Sequence, residues 1–281
     1  MGAGKLYVVG TPIGNLEDMT WRAVRVLQEV EAIASEDTRH TGKLLQHFQI
    51  TTPQISYYEH NKSQRLGELL QRLQQGADLA LVTDAGMPGI SDPGYELVKG
   101  CIDGGIEVIP IPGVTAGITA LVCSGLPTER FVFEGFLPTK GKERRDRLLQ
   151  LPSETRTLIF YEAPHRLQQT LQDLAEVLGV DRPVVLAREL TKRYEEFWRG
   201  TLGDAIAHYT HQSPKGEFTL ILGGARESTR LELSEGELKQ ALEALLAQGL
   251  TRSQASRQLA QDTGRPRRAI YQLALEICSN V

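Results

Sequence analysis

Three glycine- and proline-bearing segments, each following a short apolar run, hold most of the residues able to meet a small ligand. Gly10-Thr11-Pro12-Ile13-Gly14-Asn15 follows Leu6–Val9, Thr83 through Gly94 follows Leu79–Val82, and Pro112-Gly113-Val114-Thr115-Ala116 follows Glu107–Ile111. In the long segment, Gly86, Gly89 and Gly94 allow a ligand close to the backbone, Pro88 and Pro93 stiffen the loop, and Asp84 and Asp92 accept hydrogen bonds. The same glycines serve tight turning equally well. Thr115 offers a hydroxyl at a helix start, for a ligand or for a cap. Phosphate chemistry does not fit these loops. The first lacks the G-x-G-x-x-G spacing, its Pro12 has no N–H to donate, and no G-x-x-x-x-G-K-[ST] occurs in the chain.

A fourth segment carries proton chemistry. Ser35-Glu36-Asp37-Thr38-Arg39 follows Ala32-Ile33-Ala34, so Glu36 and Asp37 fall near a strand's carboxyl end, where either is able to take a proton from a weak nucleophile. Arg39 has the fork that clamps a phosphate; the alternative is an internal Asp37–Arg39 pair that only orders the loop. Glu195 and Glu196 beside Lys192 and Arg193 read as a solvated charged face. Cys101, Cys123 and Cys278 form no C-x-x-C, and His208 and His211 have no third ligand nearby, so neither a disulfide framework nor a metal site is expected. Past Leu250, Arg252, Arg257, Arg265, Arg267 and Arg268 stand against Asp262 and Glu276 alone, a basic patch suited to phosphates or to the surface of a packed helical hairpin.

Positioning such loops calls for strands that end where the chemistry begins. The apolar runs before the first three loops are short and nearly continuous, as for strands buried on both faces of a mainly parallel sheet, and helical periods separate them at Trp21–Val30, Arg65–Leu73 and Val114–Cys123. A second set, Arg130–Phe136, Thr157–Tyr161, Val184–Ala187 and Phe218–Leu222, is again interleaved with helix, notably Leu167–Leu178. The fold class is therefore α/β, with expected domains at 1–127 and 128–226 and an all-α region at 227–281. In that region Thr251 caps a helix with Ala255 and Leu259 on its apolar face. Gly264 then stops it and Pro266 precedes Arg267–Ile277, the outline of a helix-turn-helix. The 281 residues are 41% apolar and 23% charged, which is an ordinary globular profile. A net charge of −4 excludes attraction of the whole molecule to nucleic acid and leaves a local basic surface. No apolar stretch reaches membrane-spanning length and Met1–Lys5 is too polar for a signal peptide, so a cytoplasmic protein is expected, with no membrane partner.

The four blocks together resemble the signatures of the tetrapyrrole-methylase superfamily. The likeness continues through Phe133–Pro138, Tyr161–Arg166 and Arg188–Lys192, and so spans both α/β domains. Asp84-Ala85-Gly86 stands where the tetrapyrrole enzymes carry Gly-Asp-Pro, and the chain is more similar to the bacterial branch that methylates a ribose of 16S rRNA. The resemblance implies S-adenosylmethionine folded into the cleft between the two domains and methyl transfer to a cytidine 2′-hydroxyl. It implies cofactor contacts at Pro12, Asp84, Gly86, Met87, Thr115 and Ala116, with Tyr161, Ala187 and Gly216 from the second domain. It also implies a homodimer, a helix-turn-helix-like RNA-contacting tail, and 16S rRNA or the small ribosomal subunit as partner. Glu36, Asp37 and Arg39 remain the candidates for assisting the reacting hydroxyl. A methylase of a small tetrapyrrole and a non-catalytic RNA-binding or ribosome-assembly protein of the same fold stand as alternatives.

Overall fold

The computed structural model describes residues 2–225 and 233–279, with the side chains of residues 261, 278 and 279, Cys278 among them, outside that description. The chain divides into two compact units, 1–224 and 225–281. The first unit opens with β1 (Lys5–Val9), α1 (Trp21–Glu29), β2 (Ala32–Ser35), α2 (Thr38–His47), β3 (Gln54–Ser56), α3 (Lys62–Gln74), β4 (Leu79–Val82), α4 (Tyr95–Asp103), β5 (Glu107–Ile111) and α5 (Ala116–Ser124). The five strands form one sheet in the order β3-β2-β4-β1-β5, parallel throughout. β2 and β4 are buried at every residue, which is why their sequences are apolar without alternation. Leu69, Leu73, Leu79, Leu81 and Leu97 pack on one face, and Val26, Leu27, Ile33, Leu45 and Val82 on the other.

The second half of this unit contains β6 (Phe131–Phe136), α6 (Gly141–Leu148), β7 (Thr157–Glu162), α7 (Leu167–Leu178), β8 (Pro183–Arg188), β9 (Glu196–Thr201), α8 (Leu202–Thr210) and β10 (Phe218–Leu222). Its sheet is mixed, in the order β6-β7-β10-β8-β9; β6 and β7 are parallel and the other pairings antiparallel. Period-two alternation divides the strands between two cores. Leu158, Phe160, Leu186 and Leu220 face α7 and α8, while Ile159, Val185, Ala187 and Ile221 face Ala120 and Leu121 of α5. The boundary expected at 127/128 thus falls just after a helix whose apolar face packs on the second sheet. Arg199 of β9 fixes the end of that helix by donating to the carbonyls of Cys123 and Ser124 at 2.6 and 3.3 Å.

Two strands were not anticipated. β3 carries a single apolar residue, Ile55, and no run to announce it. β9 is a half-exposed edge strand, in which exposed Glu196 and Arg199 flank half-buried Phe197 and Trp198 in a segment that reads as a charged face.

The second unit holds α9 (Glu235–Ala247), α10 (Arg252–Thr263) and α11 (Arg267–Ser279) around Leu238, Leu242, Ala255, Leu259, Ile270 and Ala274. Thr251 and Gln254 form a reciprocal capping box at the start of α10, and Gly264 ends it in the left-handed region at φ 66°.

Candidate active site

Parallel strands deliver their following loops to one sheet edge, and here the loops after β1, β2, β4 and β5 converge there. The loops are bound to each other through backbone. Gly10 N donates to Ile111 O at 3.0 Å, and Thr11 and Gly86 exchange hydrogen bonds of 2.9 and 3.0 Å across an isolated antiparallel bridge. Glycine is required where the β1 and β5 loops touch: a Cβ on Gly113 would lie 2.8 Å from Gly10 Cα, and one on Gly10 would lie 2.6 Å from Met87 Sδ.

Above this frame lies a cavity of about 330 Å³ between the two sheets. Gly86, Met87, Thr115, Ala116 and Tyr161, five of the expected cofactor residues, line it together. Thr115 precedes α5 without capping it, which leaves its hydroxyl to the cavity. Tyr161 Oη accepts from Gly117 N at 3.1 Å, and its ring meets Phe133 and Phe136 edge-on, so its position is fixed from both sides. Pro12 and Asp84 line an adjoining cavity of about 550 Å³, which shares Ile13, Ala85 and Glu217 with the first and carries His40, Lys43 and Lys192. Ala187 and Gly216 line neither of these two cavities. Ala187 is buried in the core beneath α5. Gly216 sits at φ 86° with its Cα side closed off by Glu189.

The carboxylates separate into two kinds. Asp37 caps α2 by accepting from Arg39 N at 2.8 Å and pairs with the Arg39 guanidinium at 2.8 and 3.1 Å, so the internal pair is present. That guanidinium holds the Asp37 carboxyl well below the usual carboxylate range. The pair is solvated, Arg39 being 89% exposed. Glu36, Asp84 and Asp92 turn inward instead. Glu36 Oε2 accepts from Asp84 N at 3.4 Å, while Asp84 Oδ1 accepts from Asp37 N at 3.1 Å, which joins the β2 and β4 loops. Burial pushes the Glu36 carboxyl up, and Asp84 and Asp37 add to the effect as like charges. Burial, then Glu36 and Asp84, push Asp92 up to about 7. Asp92 lines the first cavity. It was visible in the sequence only as one of two hydrogen-bond acceptors in a long loop; its burial depends on a loop conformation that spacing does not report.

The remaining charged features are mostly paired within the chain, with Glu195 and Glu196 on an exposed face. Glu195 accepts from Thr191 N at 2.6 Å and Glu196 pairs with Arg188 at 3.2 Å, so these carboxylates hold the β8–β9 connection. Arg166 pairs with the buried Glu162 and donates to Leu137 O. In the helical unit Arg252, Arg257, Arg267 and Arg268 are exposed, whereas Arg265 is half-buried and donates to Leu233 O at 2.5 Å. Among the described residues no cluster of three or more His, Cys, Asp or Glu is arranged to hold a metal, and no helix is long and apolar enough to cross a membrane.

The family model described as Tetrapyrrole (Corrin/Porphyrin) Methylases matches residues 5–206, and that described as RsmI C-terminal HTH domain matches residues 232–277. Among curated relatives, "Ribosomal RNA small subunit methyltransferase I" of Synechocystis sp. is 62% identical over 98% of this chain and 98% of its own. The protein of that name from Escherichia coli O157:H7 is 48% identical over 97% and 95%. Among solved structures, the uroporphyrin-III C-methyl transferase of Thermus thermophilus complexed with S-adenyl homocysteine is similar in fold. It has a TM-score of 0.54 and 22% identity, covering 78% of this chain and 97% of that one.

Proposed function

This chain belongs to the tetrapyrrole methylase family, and from that premise we propose that it is an S-adenosylmethionine-dependent methyltransferase that methylates the ribose 2′-hydroxyl of a cytidine in 16S rRNA. One observation carries the RNA reading. The relatives named for small-subunit rRNA match 97–98% of the chain, tail included, whereas the uroporphyrin methylase covers 78%. The helical unit, whose last two helices carry the basic patch, is therefore shared with the rRNA enzymes.

The residues present fit the cofactor. Its sulfonium supplies a methyl group to a nucleophile, and nothing in it calls for a phosphate cradle, in agreement with a proline in the first loop. The uncapped start of α5, with the free Thr115 hydroxyl, suits a carboxylate. Ile13, Met87, Ile90 and Phe136 give apolar surface for a base. The protein's main contribution is alignment: loops pinned to each other through backbone hold both reactants against a fixed wall. Pro12, Asp84, Gly86, Met87, Thr115, Ala116 and Tyr161 form the cofactor set. Arg252, Arg257, Arg267 and Arg268 meet RNA phosphates, with Arg265 also tied to its own unit. 16S rRNA or the small ribosomal subunit is the partner, the protein acts in the cytoplasm, and two copies associate.

The test is transfer of a labelled methyl group to 16S rRNA, naked and in 30S subunits from cells lacking the protein, with the site mapped by reverse-transcription stops. Absence of label in both substrates would sink the proposal. The same assay tests the tail. Replacing Arg252, Arg257, Arg267 and Arg268 with alanine should weaken RNA binding across sequences and lower its salt slope by about 0.7–0.9 per lost contact, with cofactor affinity unchanged.

A further inference from the structure

We infer that Asp92 is the group that takes the proton from the ribose hydroxyl, an assignment that rests on the methyltransferase reading above. The position supports this first. Asp92 lines the cavity that also holds Met87, Thr115, Ala116 and Tyr161, so it stands, half-buried, at the cofactor wall. It is held there by a constrained loop: Ser91 immediately before it occupies the left-handed region at φ 62°, unusual for a residue with a side chain. Gly135 of the second sheet approaches from the other side, where a Cβ would meet Ser91 Oγ at 3.2 Å.

The surroundings supply the chemistry. The titratable groups facing Asp92 are Glu36 from the β2 loop, Asp84 from its own loop and Tyr161 from β7. The first two are acidic, Tyr161 is itself pushed up by burial, and among the described residues no cation pairs with Asp92. The Thr83 hydroxyl pulls Asp92 slightly the other way, yet it is buried and completes no hydrogen bond of its own. A carboxyl in such a place titrates near neutrality, at about 7, where a base is strong enough to assist a hydroxyl and still largely ionised in the cell. Asp37 lacks this property, because Arg39 occupies both of its oxygens. In the reacting step the hydroxyl oxygen forms its bond to the methyl carbon as the carbon–sulfur bond breaks. The sulfur keeps that electron pair and leaves as a neutral thioether. The hydroxyl proton passes to an Asp92 carboxylate oxygen and later to water.

Two measurements test this. In cofactor-free protein with ¹³C-labelled aspartate carboxyls, one resonance should titrate near pH 7 and be lost in Asp92→Asn. In single-turnover methylation of 16S rRNA, the rate should rise with pH through an inflection at or below about 7, since a bound cation favours the carboxylate. Asp92→Asn should lower the rate by on the order of 10²–10⁴ and flatten the profile, with S-adenosylhomocysteine affinity within a few-fold of wild type. Glu36→Gln should move the inflection to lower pH by removing a like charge, a shift that a purely structural Asp92 would not produce. An Asp92→Asn enzyme within threefold of wild type, or an Asp92 resonance titrating at an ordinary carboxyl value, overturns the assignment while the methyltransferase reading stands. A wild-type protein that labels no rRNA overturns both.

Discussion

The loops after β2 and β4 leave neighbouring strands of one sheet, end at the same edge and each carry an aspartate within reach of the site, yet the two aspartates behave in opposite ways. Asp37 lies at the solvent edge, caps a helix and holds an arginine; Asp92 lies inside a cavity with only acidic neighbours and a tyrosine. The first is pushed toward the ionised form and the second away from it. Residue type therefore says little about which carboxylate serves a reaction; the partner and the water around it decide. Asp37 is held by a side chain that solvent also reaches, whereas Gly86 of the β4 loop is held to the β1 loop by backbone that nothing replaces.

That last difference sets the largest expected effect. Gly113→Ala places a methyl 2.8 Å from Gly10 Cα, where both neighbours are backbone. It should destabilise the protein by on the order of 2–3 kcal/mol, as over-packing of a tight interior does, and lower S-adenosylhomocysteine affinity by tenfold or more. Urea unfolding together with calorimetry checks this. Wild-type stability in the variant would mean that the β1, β4 and β5 loops are not seated on one another.

A smaller effect separates the two aspartates by pH. The folded protein holds Asp92 near 7 against an ordinary 3.8, so its neutral form is the one folding favours, and stability drains away as pH rises from about 4 through 7. Asp92→Asn, which imitates the neutral acid, should therefore be more stable than wild type at pH 8, by on the order of 1 kcal/mol after allowance for its partial exposure to water. The gain should shrink as pH falls and vanish below about 4. Thermal unfolding across that range measures it, and an Asn variant less stable at pH 8 would show that the carboxylate is paired after all.

The strands before the reactive loops were legible because burial on both faces demands apolar runs, as at Leu79–Val82, and glycine and proline mark where they stop. Met87, Thr115, Ala116 and Tyr161 were named by the family resemblance of the blocks that carry them, and the structure brings these four to one cavity wall. Ala187 shows the limit: a small apolar residue on β8 reads the same whether its side chain faces a ligand or a helix, and here it faces α5. Asp92 shows the other. Its loop was singled out for glycine and proline, but a carboxyl's burial follows from the left-handed turn at Ser91 and the approach of Gly135 from a distant strand, and neither is written in local spacing. For Asp37 the Arg39 two residues on made the internal pair readable from the start, and only the geometry could choose between that pair and a base.

The smallest effect belongs to that pair, and its sign is opposite to that of Asp92. Because folding lowers the Asp37 carboxyl below its ordinary value of 3.8, its contribution is present above that value and lost as pH falls below it. Two parts are separable. Asp37→Asn keeps a side-chain oxygen for the Arg39 N–H and removes only the charge that faces the guanidinium and the start of α2; Asp37→Ala removes the cap as well. The Asn variant should unfold slightly earlier than wild type at pH 7. Its deficit should fade in 1 M salt, since the pair is exposed to screening ions, and shrink progressively as pH falls below 4, where the unfolded chain takes up a proton at Asp37 and the advantage of the wild-type charge is lost. The Ala variant should keep a residual deficit under both conditions, because a missing cap is insensitive to salt. If the Asn deficit instead survives high salt, the pair is shielded from solvent, and the contrast between an outward-facing Asp37 and an inward-facing Asp92 would no longer hold.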